Sequence, residues 1–402
     1  MKHFLQAGSH PDLSLAEAEA VLGQRIEHRS GPMLFVDTAD FDGFLLQTRL
    51  AGTVKLGDVL FESDTSKDVS VLAQKIADQI DVRPRAERVL FGLTTIGTPK
   101  LKALLKKLPI ELKRVLQDRG RSVRWVTGDK GEISPAAVAK LKLTTEGYDF
   151  VIGESDGRIV VGLTTHVQDA DAWSLRDYGR PFRDAKTGML PPKLARMMIN
   201  VATHNAQSIT SGATRYALRS TRILDPFCGG GTVLMEAALL FPHASLVGSD
   251  IDAKQIAGTK RNLEWLAGQD MLPRSRVEET KLIVSPAQEL ASHLREPFDA
   301  IVTEGYLGEP LRGNEPKGFL LKNKEAVERV WEETLPVLSG LLKPGARLVC
   351  VWPEYRSAHG NVQTDAHSAA EAAGLNVERN DLKYGRPDQH LIRRIVILAK
   401  KA

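Results

Sequence analysis

Apolar positions recur along the chain with two periods, and the boundary between their patterns divides it in two. Up to about residue 165, the short runs PMLFVDT, RVLFGLT, SVRWVTG, YDFVIGE and RIVVGLTTHV predict strands, while SVLAQKIADQI, LKALLKKL and AAVAKLKL predict helices. This is an α+β region. The opening segment places Leu13, Ala16, Ala20 and Val21 on one helical face and has no apolar signal core, so export is not expected. The polar, Gly-, Pro- and Arg-rich stretch QDADAWSLRDYGRPFRDAKTGMLPP then predicts a linker of limited flexibility, followed by a helix KLARMMINVA.

Beyond it, strand-like and helix-like segments alternate: TRILDPF, GTVLMEAALL, SLVGSDI, AKQIAGTKRNLEWL, KLIVSP, FDAIVTE, AVERVWEETLPVLSGLL, ARLVCVW, AHSAAEAAGL. That order predicts an α/β fold, a mostly parallel, doubly wound sheet covered on both faces. The last two segments, LNVERNDLKYG and LIRRIVILAK, are separated by little more than a turn and predict an antiparallel hairpin at the sheet edge.

The length of 402 residues is too great for one ordinary domain. Hydrophobic residues at 42% and charged residues at 26% suit a soluble globular chain, and no uncharged apolar run is long enough for a bilayer span. Cys228 and Cys350 form neither a disulfide framework nor a metal-ligand spacing, which predicts a reducing cytoplasm and a site without metal. A net charge of +4 does not by itself establish a polyanionic partner, but its distribution is uneven. Between Lys100 and Arg124 nine basic residues, among them Lys102, Lys106, Lys107, Lys113, Arg114, Arg121 and Arg124, face two acids, Glu111 and Asp118. Such a cluster suits phosphate contacts, and equally the solvated face of two amphipathic helices broken at Pro109.

The densest chemical signal is TRILDPFCGGGTVLMEAALL. A strand ends at Asp225, three glycines follow and Thr232 opens a helix. Glycines allow a close approach of ligand to backbone, though they also serve simply to turn a corner. Asp250 ends the next strand, 25 residues after Asp225, where a carboxylate can accept the hydroxyls of a ribose. The spacing fits neither the dinucleotide Gly-x-Gly-x-x-Gly nor a P-loop. An acid ahead of the glycines suits a cofactor carrying an ammonium and a sulfonium, as S-adenosylmethionine does.

DPFCGGGTVLMEA resembles the cofactor loop of class I RNA methyltransferases, and SLRDYGRPFRDAKTGMLPPKLARMMINVA with GSHPDLSLAEAEAVLG resembles the tRNA guanine-10 N2-methyltransferase family. That resemblance implies a Rossmann-like methyltransferase domain over residues 191–402, a linker over 169–190, a THUMP-like RNA-binding domain over 51–168 and a small α+β subdomain over 1–50. It implies tRNA as partner, with no sign of an obligate protein partner. It also implies cofactor contacts from Pro191, Asp225, Phe227, Cys228, Gly229, Gly231, Thr232, Asp250 and Ile251, with Pro191 and Pro192 closing one side of the pocket. The family's Asp-Ala after the third strand reads Pro286-Ala287 here, so Ser285 or a backbone carbonyl is expected to replace the missing acceptor beside Ala287.

After the fourth strand, where the family carries Asp or Asn, two prolines and an aromatic, this chain has Thr303, Glu304, Gly305, Tyr306. The resemblance gives Glu304 and the Gly305 carbonyl the two N–H bonds of a target amine and Tyr306 a stacking role on a flipped base. By pattern alone, Glu304 also suits a strand end and Tyr306 a core position. Lone histidines at 166 and 204, the Trp352–Pro353–Glu354 strand end and the linker's Arg176, Arg180 and Arg183 have structural readings of equal standing. The expected activity is methylation of a guanine N2 in tRNA, with two alternatives open: another RNA base, or a tRNA-binding protein whose methyl transfer is lost.

Overall fold

The computed structural model describes residues 2–38, 41–64, 68–128, 131–184, 189–203 and 221–401. Linker residues 185–188 and His204 lie outside the described residues. The chain forms two compact units, one of Met1–Leu15 with Arg25–Ala172 and one of Ala16–Gln24 with Trp173–Ala402.

In the first unit the described strands are β1 (Lys2–Ala7), β2 (His28–Ser30), β3 (Met33–Asp37), β4 (Thr53–Asp64), β5 (Arg88–Thr95), β6 (Ser122–Val126), β7 (Tyr148–Ser155) and β8 (Arg158–Val167). They make one sheet in the order β2-β3-β1-β4-β8-β7-β5-β6. The strands β1–β3 of residues 1–50, a stretch expected as a subdomain of its own, thus share a sheet with β4–β8. β4 pairs with both β1 and β8. Inside it the Lys55 ammonium is held by Asp149 at 2.9 Å, and Thr164 donates to the same carboxylate oxygen at 2.6 Å. On one face the helix Val69–Asp81 sets Leu72, Ala73, Ile76, Ala77 and Ile80 into a core shared with Leu112, Val115 and Leu116 of the helix Leu108–Asp118. Pro109 sits in the first turn of that second helix, where its missing N–H costs nothing.

The second unit contains β9 (Arg222–Asp225), β10 (Ser245–Asp250), β11 (Lys281–Val284), β12 (Phe298–Val302), β13 (Leu342–Ser357), β14 (Gly360–Gln363), β15 (Leu375–Tyr384) and β16 (Leu391–Lys400). The order is β11-β10-β9-β12-β13-β16-β15, with β14 paired to β13. β9 to β13 pair in parallel, whereas β16 runs antiparallel between β13 and β15. The expected hairpin is therefore present, but its second strand is inserted beside β13 and only β15 is at the edge. The middle stretches of the parallel strands, Ile223–Leu224, Leu246–Val247, Ala300–Val302 and Leu348–Val351, are apolar and buried, in part beneath the helices Thr232–Leu240, Ala253–Gly268 and Lys317–Leu341. The linker is mostly structured within this unit. Ala170–Tyr178 is helical, and Arg176 and Arg196 grip the two oxygens of buried Glu236 at 2.7 and 2.8 Å.

Candidate functional site

In an open parallel sheet, ligands bind beyond the carboxyl ends of the strands where the strand order reverses. Here the order reverses between β9 and β12, which leave the sheet as neighbours. Their two following loops define the site.

The β9 loop is built by backbone constraint. Gly231 has φ +80°, and a Cβ there would lie 2.6 Å from the Thr259 side chain, so a side chain is excluded on both counts. The Gly229 N–H donates to Asp250 Oδ2 at 2.9 Å, and the Cys228 N–H donates to the Ser249 carbonyl at 2.8 Å, tying the loop to the end of β10. Burial pushes the Cys228 thiol well up, which leaves it a packing residue. From the other side Asn262 accepts from the Phe182 N–H at 2.9 Å and donates to the carbonyls of Phe182 and Gly230 at 3.0 and 2.8 Å. The segment after the 170–178 helix is thereby strapped across the glycine loop.

Asp225 is 2% exposed and accepts from the Phe227 N–H at 3.2 Å. Burial raises its carboxyl to about 7, with the charges of Asp250 and Glu304 adding to the rise, and it has no ion pair among the described residues. The Phe227 N–H and the Thr303 hydroxyl oppose the shift, the latter short of a well-formed hydrogen bond. Asp225 shares a cavity with Phe227, Cys228, Gly229, Thr232, Gln255 and Glu304. Arg180 stands on the wall of the same cavity, donating to Thr232 Oγ1 at 2.5 Å. Gln255 is held by Asp184 at 3.0 Å.

An adjoining cleft of about 610 Å³ takes in Asp250, Ile251, Asp252, Pro286, Ala287 and the β12 loop from Glu304 to Pro310. Asp250 divides its carboxylate between the N–H groups of Gly229 and Asp252. Ile251 is exposed at the rim, an apolar surface suited to a base plane. Ser285 does not line either cavity: its hydroxyl donates to the Pro286 carbonyl at 3.1 Å, and its N–H to the Asp250 carbonyl. Pro191 is the N-cap of the helix Pro192–Ala202 and Gly231 that of the helix Thr232–Leu240, and neither lines either cavity.

The β12 loop is fixed by side chains from distant elements. Gly305, at φ +71°, lies so close to Trp331 that a Cβ would come within 2.6 Å of the indole. Trp331 in turn meets Phe227 edge to face at 6.0 Å. Asn323 donates to the Glu309 carbonyl at 3.0 Å and accepts from the Glu309 N–H at 3.2 Å, while the Tyr355 hydroxyl donates to the Leu307 carbonyl at 2.9 Å. Tyr306 is 41% exposed and lines the cleft instead of entering the core. Glu304 Oε1 accepts from Arg393 Nε at 2.5 Å, with the two side chains 15% and 13% exposed. Trp352 is buried, and Glu354 is engaged by Arg356, Lys383 and Gln363, so that strand end is structural.

The site thus gathers Asp225, Phe227, Cys228, Gly229, Thr232, Asp250, Ile251, Ala287, Glu304, Gly305 and Tyr306. Sequence reasoning missed Arg393, Gln255, Asn323 and Tyr355, and gave Arg180 no place in the pocket. In the other unit Lys102 is paired with Glu132, Arg114 with Glu111 and Arg121 with Asp81. Lys106, Lys107, Lys113 and Arg124 show no ion pair among the described residues. Among those residues, too, no group of three or more His, Cys, Asp or Glu could hold a metal ion, and no helix is long and apolar enough to cross a membrane.

Comparison with known proteins agrees with this geometry. A tRNA (guanine(10)-N2)-dimethyltransferase of Methanothermobacter thermautotrophicus is 32% identical over 181 residues, 45% of this chain and 43% of that protein. The U6 snRNA (guanine-N(2))-methyltransferase THUMPD2 of Bos taurus is 29% identical over 117 residues, 29% of this chain and 22% of its own length. The matches thus span less than half the length of these curated relatives. Among solved structures, TrmN from Thermus thermophilus aligns with a TM-score of 0.53 at 16% identity over 99% of both chains. SMU.472, solved in complex with SAH, aligns with a TM-score of 0.50 at 12% identity over 100% of this chain and 98% of that one. At such identities the likeness bears on fold alone. The UPF0020 family model, an RMKL-like methyltransferase domain, matches residues 180–381, which run from Arg180 through both site loops to β15, and the chain therefore belongs to that methyltransferase family.

Proposed function

We propose that this protein is an S-adenosylmethionine-dependent RNA methyltransferase that modifies the exocyclic N2 of a guanine in tRNA, at position 10 by family resemblance. The observation that carries this reading is a buried carboxylate, Asp225, that has no ion pair among the described residues and shares a cavity with a second carboxylate, Glu304. A carboxylate kept from water needs a positive partner, and an amino-acid ammonium is one. Arg180, on the same wall, suits the carboxylate of that amino acid. Asp250 has lone pairs left for ribose hydroxyls, and Ile251 and Ala287 offer apolar surface to an adenine.

When bound, S-adenosylmethionine supplies an electrophilic methyl carbon on a sulfonium. The protein's own part is positioning. Glu304 and the Gly305 carbonyl accept the two amine N–H groups and turn the nitrogen lone pair toward the donor. As the nitrogen gains positive character, Glu304 stabilises it and accepts the departing proton. Tyr306 provides a stacking face for a base taken out of its helix. The relatives named as guanine-N2 methyltransferases support the choice of amine. Lys106, Lys107, Lys113 and Arg124 of the THUMP-like region are proposed to hold tRNA phosphates, positioning the substrate without reading its sequence. A tRNA substrate also favours a cytoplasmic protein.

The test is to incubate the protein with tRNA and methyl-labelled cofactor, digest the RNA and identify the labelled nucleoside by mass spectrometry. Labelled N2-methylguanosine or its dimethyl form is expected. Label on another base would replace the target, and no label despite binding of both ligands would indicate a binding protein.

A further inference from the structure

The acceptor carboxylate stands among charges of its own sign. Facing its cavities are Asp225 from the end of β9, Asp250 and Asp252 from the end of β10, Asp184 from the strap and Glu309 from its own loop. Against these stand Arg180, which lines the cavity shared by Asp225 and Glu304, and Arg393 of β16, the latter in direct contact with Glu304. Tyr306 lies on the same loop. Arg393 is itself firmly placed: in the sheet it lies opposite Pro353 on β13 and Tyr384 on β15. Asp177 and Arg386, of opposite sign, also stand near Tyr384.

We propose that Arg393 is the positioning residue of the acceptor site: its guanidinium fixes Glu304 through Oε1, directs Oε2 to the target amine, and supplies the positive charge that keeps the acceptor competent beside Asp225. The inference rests on the reading of Glu304 given above. Three features carry it. The pair is direct at 2.5 Å, both groups are largely withdrawn from solvent, and Arg393 comes from a strand that contributes no residue to the walls of either cavity. In such a setting the attraction is little screened, and loss of one partner leaves the other as an uncompensated charge. The single Nε contact anchors Oε1 in place, which a mobile solvent cation would not do.

The role separates from simple structural support by its pH dependence. In R393Q the acceptor loses its cation while its anionic neighbours remain. The acidic limb of the kcat/KM profile, measured with tRNA and saturating cofactor, is expected to move up by about one pH unit. The rate at neutral pH should fall by about tenfold or more, with cofactor affinity little changed. R393K, which keeps the charge, should restore most of the limb. It also keeps the test open if R393Q folds poorly, because a lysine variant as impaired as the glutamine one, with the same profile, overturns the proposal. A parallel loss at every pH in R393Q, or no loss, overturns it as well. The E304Q background separates the two levels of argument. If E304Q is inactive but R393Q leaves the profile in place, the acceptor reading stands and this inference fails. Wild-type turnover in E304Q removes both.

Discussion

The loops after β9 and β12 leave adjacent strands of one sheet, and each places a carboxylate in the same cavity, yet the two carboxylates are treated oppositely. Asp225 is buried with a backbone donor and no ion pair among the described residues, and its carboxyl rises to about 7. Glu304 is joined to Arg393. A carboxylate left without a counter-charge is completed when a cationic ligand arrives. A carboxylate that already has one is fixed in direction, which suits a neutral amine that must be aimed more than held. Under the proposed function, the difference puts the cofactor on the β9 side and the acceptor on the β12 side.

The assignment can be broken most decisively at Asp225. In D225N the partner for an ammonium disappears, and cofactor affinity measured by calorimetry should fall by about 100-fold, in the range of a lost buried charge contact of roughly 3 kcal/mol. An unchanged affinity would move the cation elsewhere. The same residue predicts a pH effect of about tenfold per unit. A cationic ligand favours ionised Asp225, so binding below about pH 7 must release its proton; affinity should rise with pH and level off above about 7. Proton release measured in buffers of different ionisation enthalpy checks this. For the unliganded fold the sign is opposite. The raised carboxyl contributes stability fully present below the ordinary value of 3.8 and lost as the pH rises through about 7.

On the acceptor side, N323A removes both bonds to Glu309 and should slow methyl transfer by about tenfold while leaving cofactor affinity within experimental error. Equal losses in both would mean that the loops are not separable. The smallest expected effect lies in the other unit. Reversing Lys106 and Lys107 to glutamate should weaken tRNA binding severalfold and reduce the salt slope by about 2, with no change in cofactor affinity. An unchanged slope would return the pair to a solvated helix face.

The two loops also differ in how much of them was legible beforehand. The β9 loop is local: strand, glycines and helix follow one another, and Asp250 ends the next strand, so composition and spacing carry the geometry. The β12 loop is not local. Glu304 and Arg393 are 89 residues apart, and they meet because β16 inserts antiparallel beside β13. The available signal was a pair of arginines within the apolar run LIRRIVILAK, a cost that a buried strand bears only if each charge finds a partner. Arg393 finds Glu304, and Arg394 finds the Thr364 carbonyl at 2.9 Å. β4 escaped notice for a similar reason. Its Lys55 looks like a surface residue until Asp149, 94 residues away, is brought beneath it. Ser285 was expected in the cofactor pocket as a substitute for the acceptor that Pro286 does not supply, but its hydroxyl donates to its neighbour's carbonyl.

The central claim, that one cavity holds a cofactor carboxylate and a separate acceptor carboxylate, is tested most directly by measuring cofactor affinity and single-turnover methyl transfer to tRNA in the same preparation of E304Q. Near-normal affinity with transfer slowed by about 100-fold or more is expected. Transfer at the wild-type rate, or loss of cofactor binding together with transfer, would contradict it.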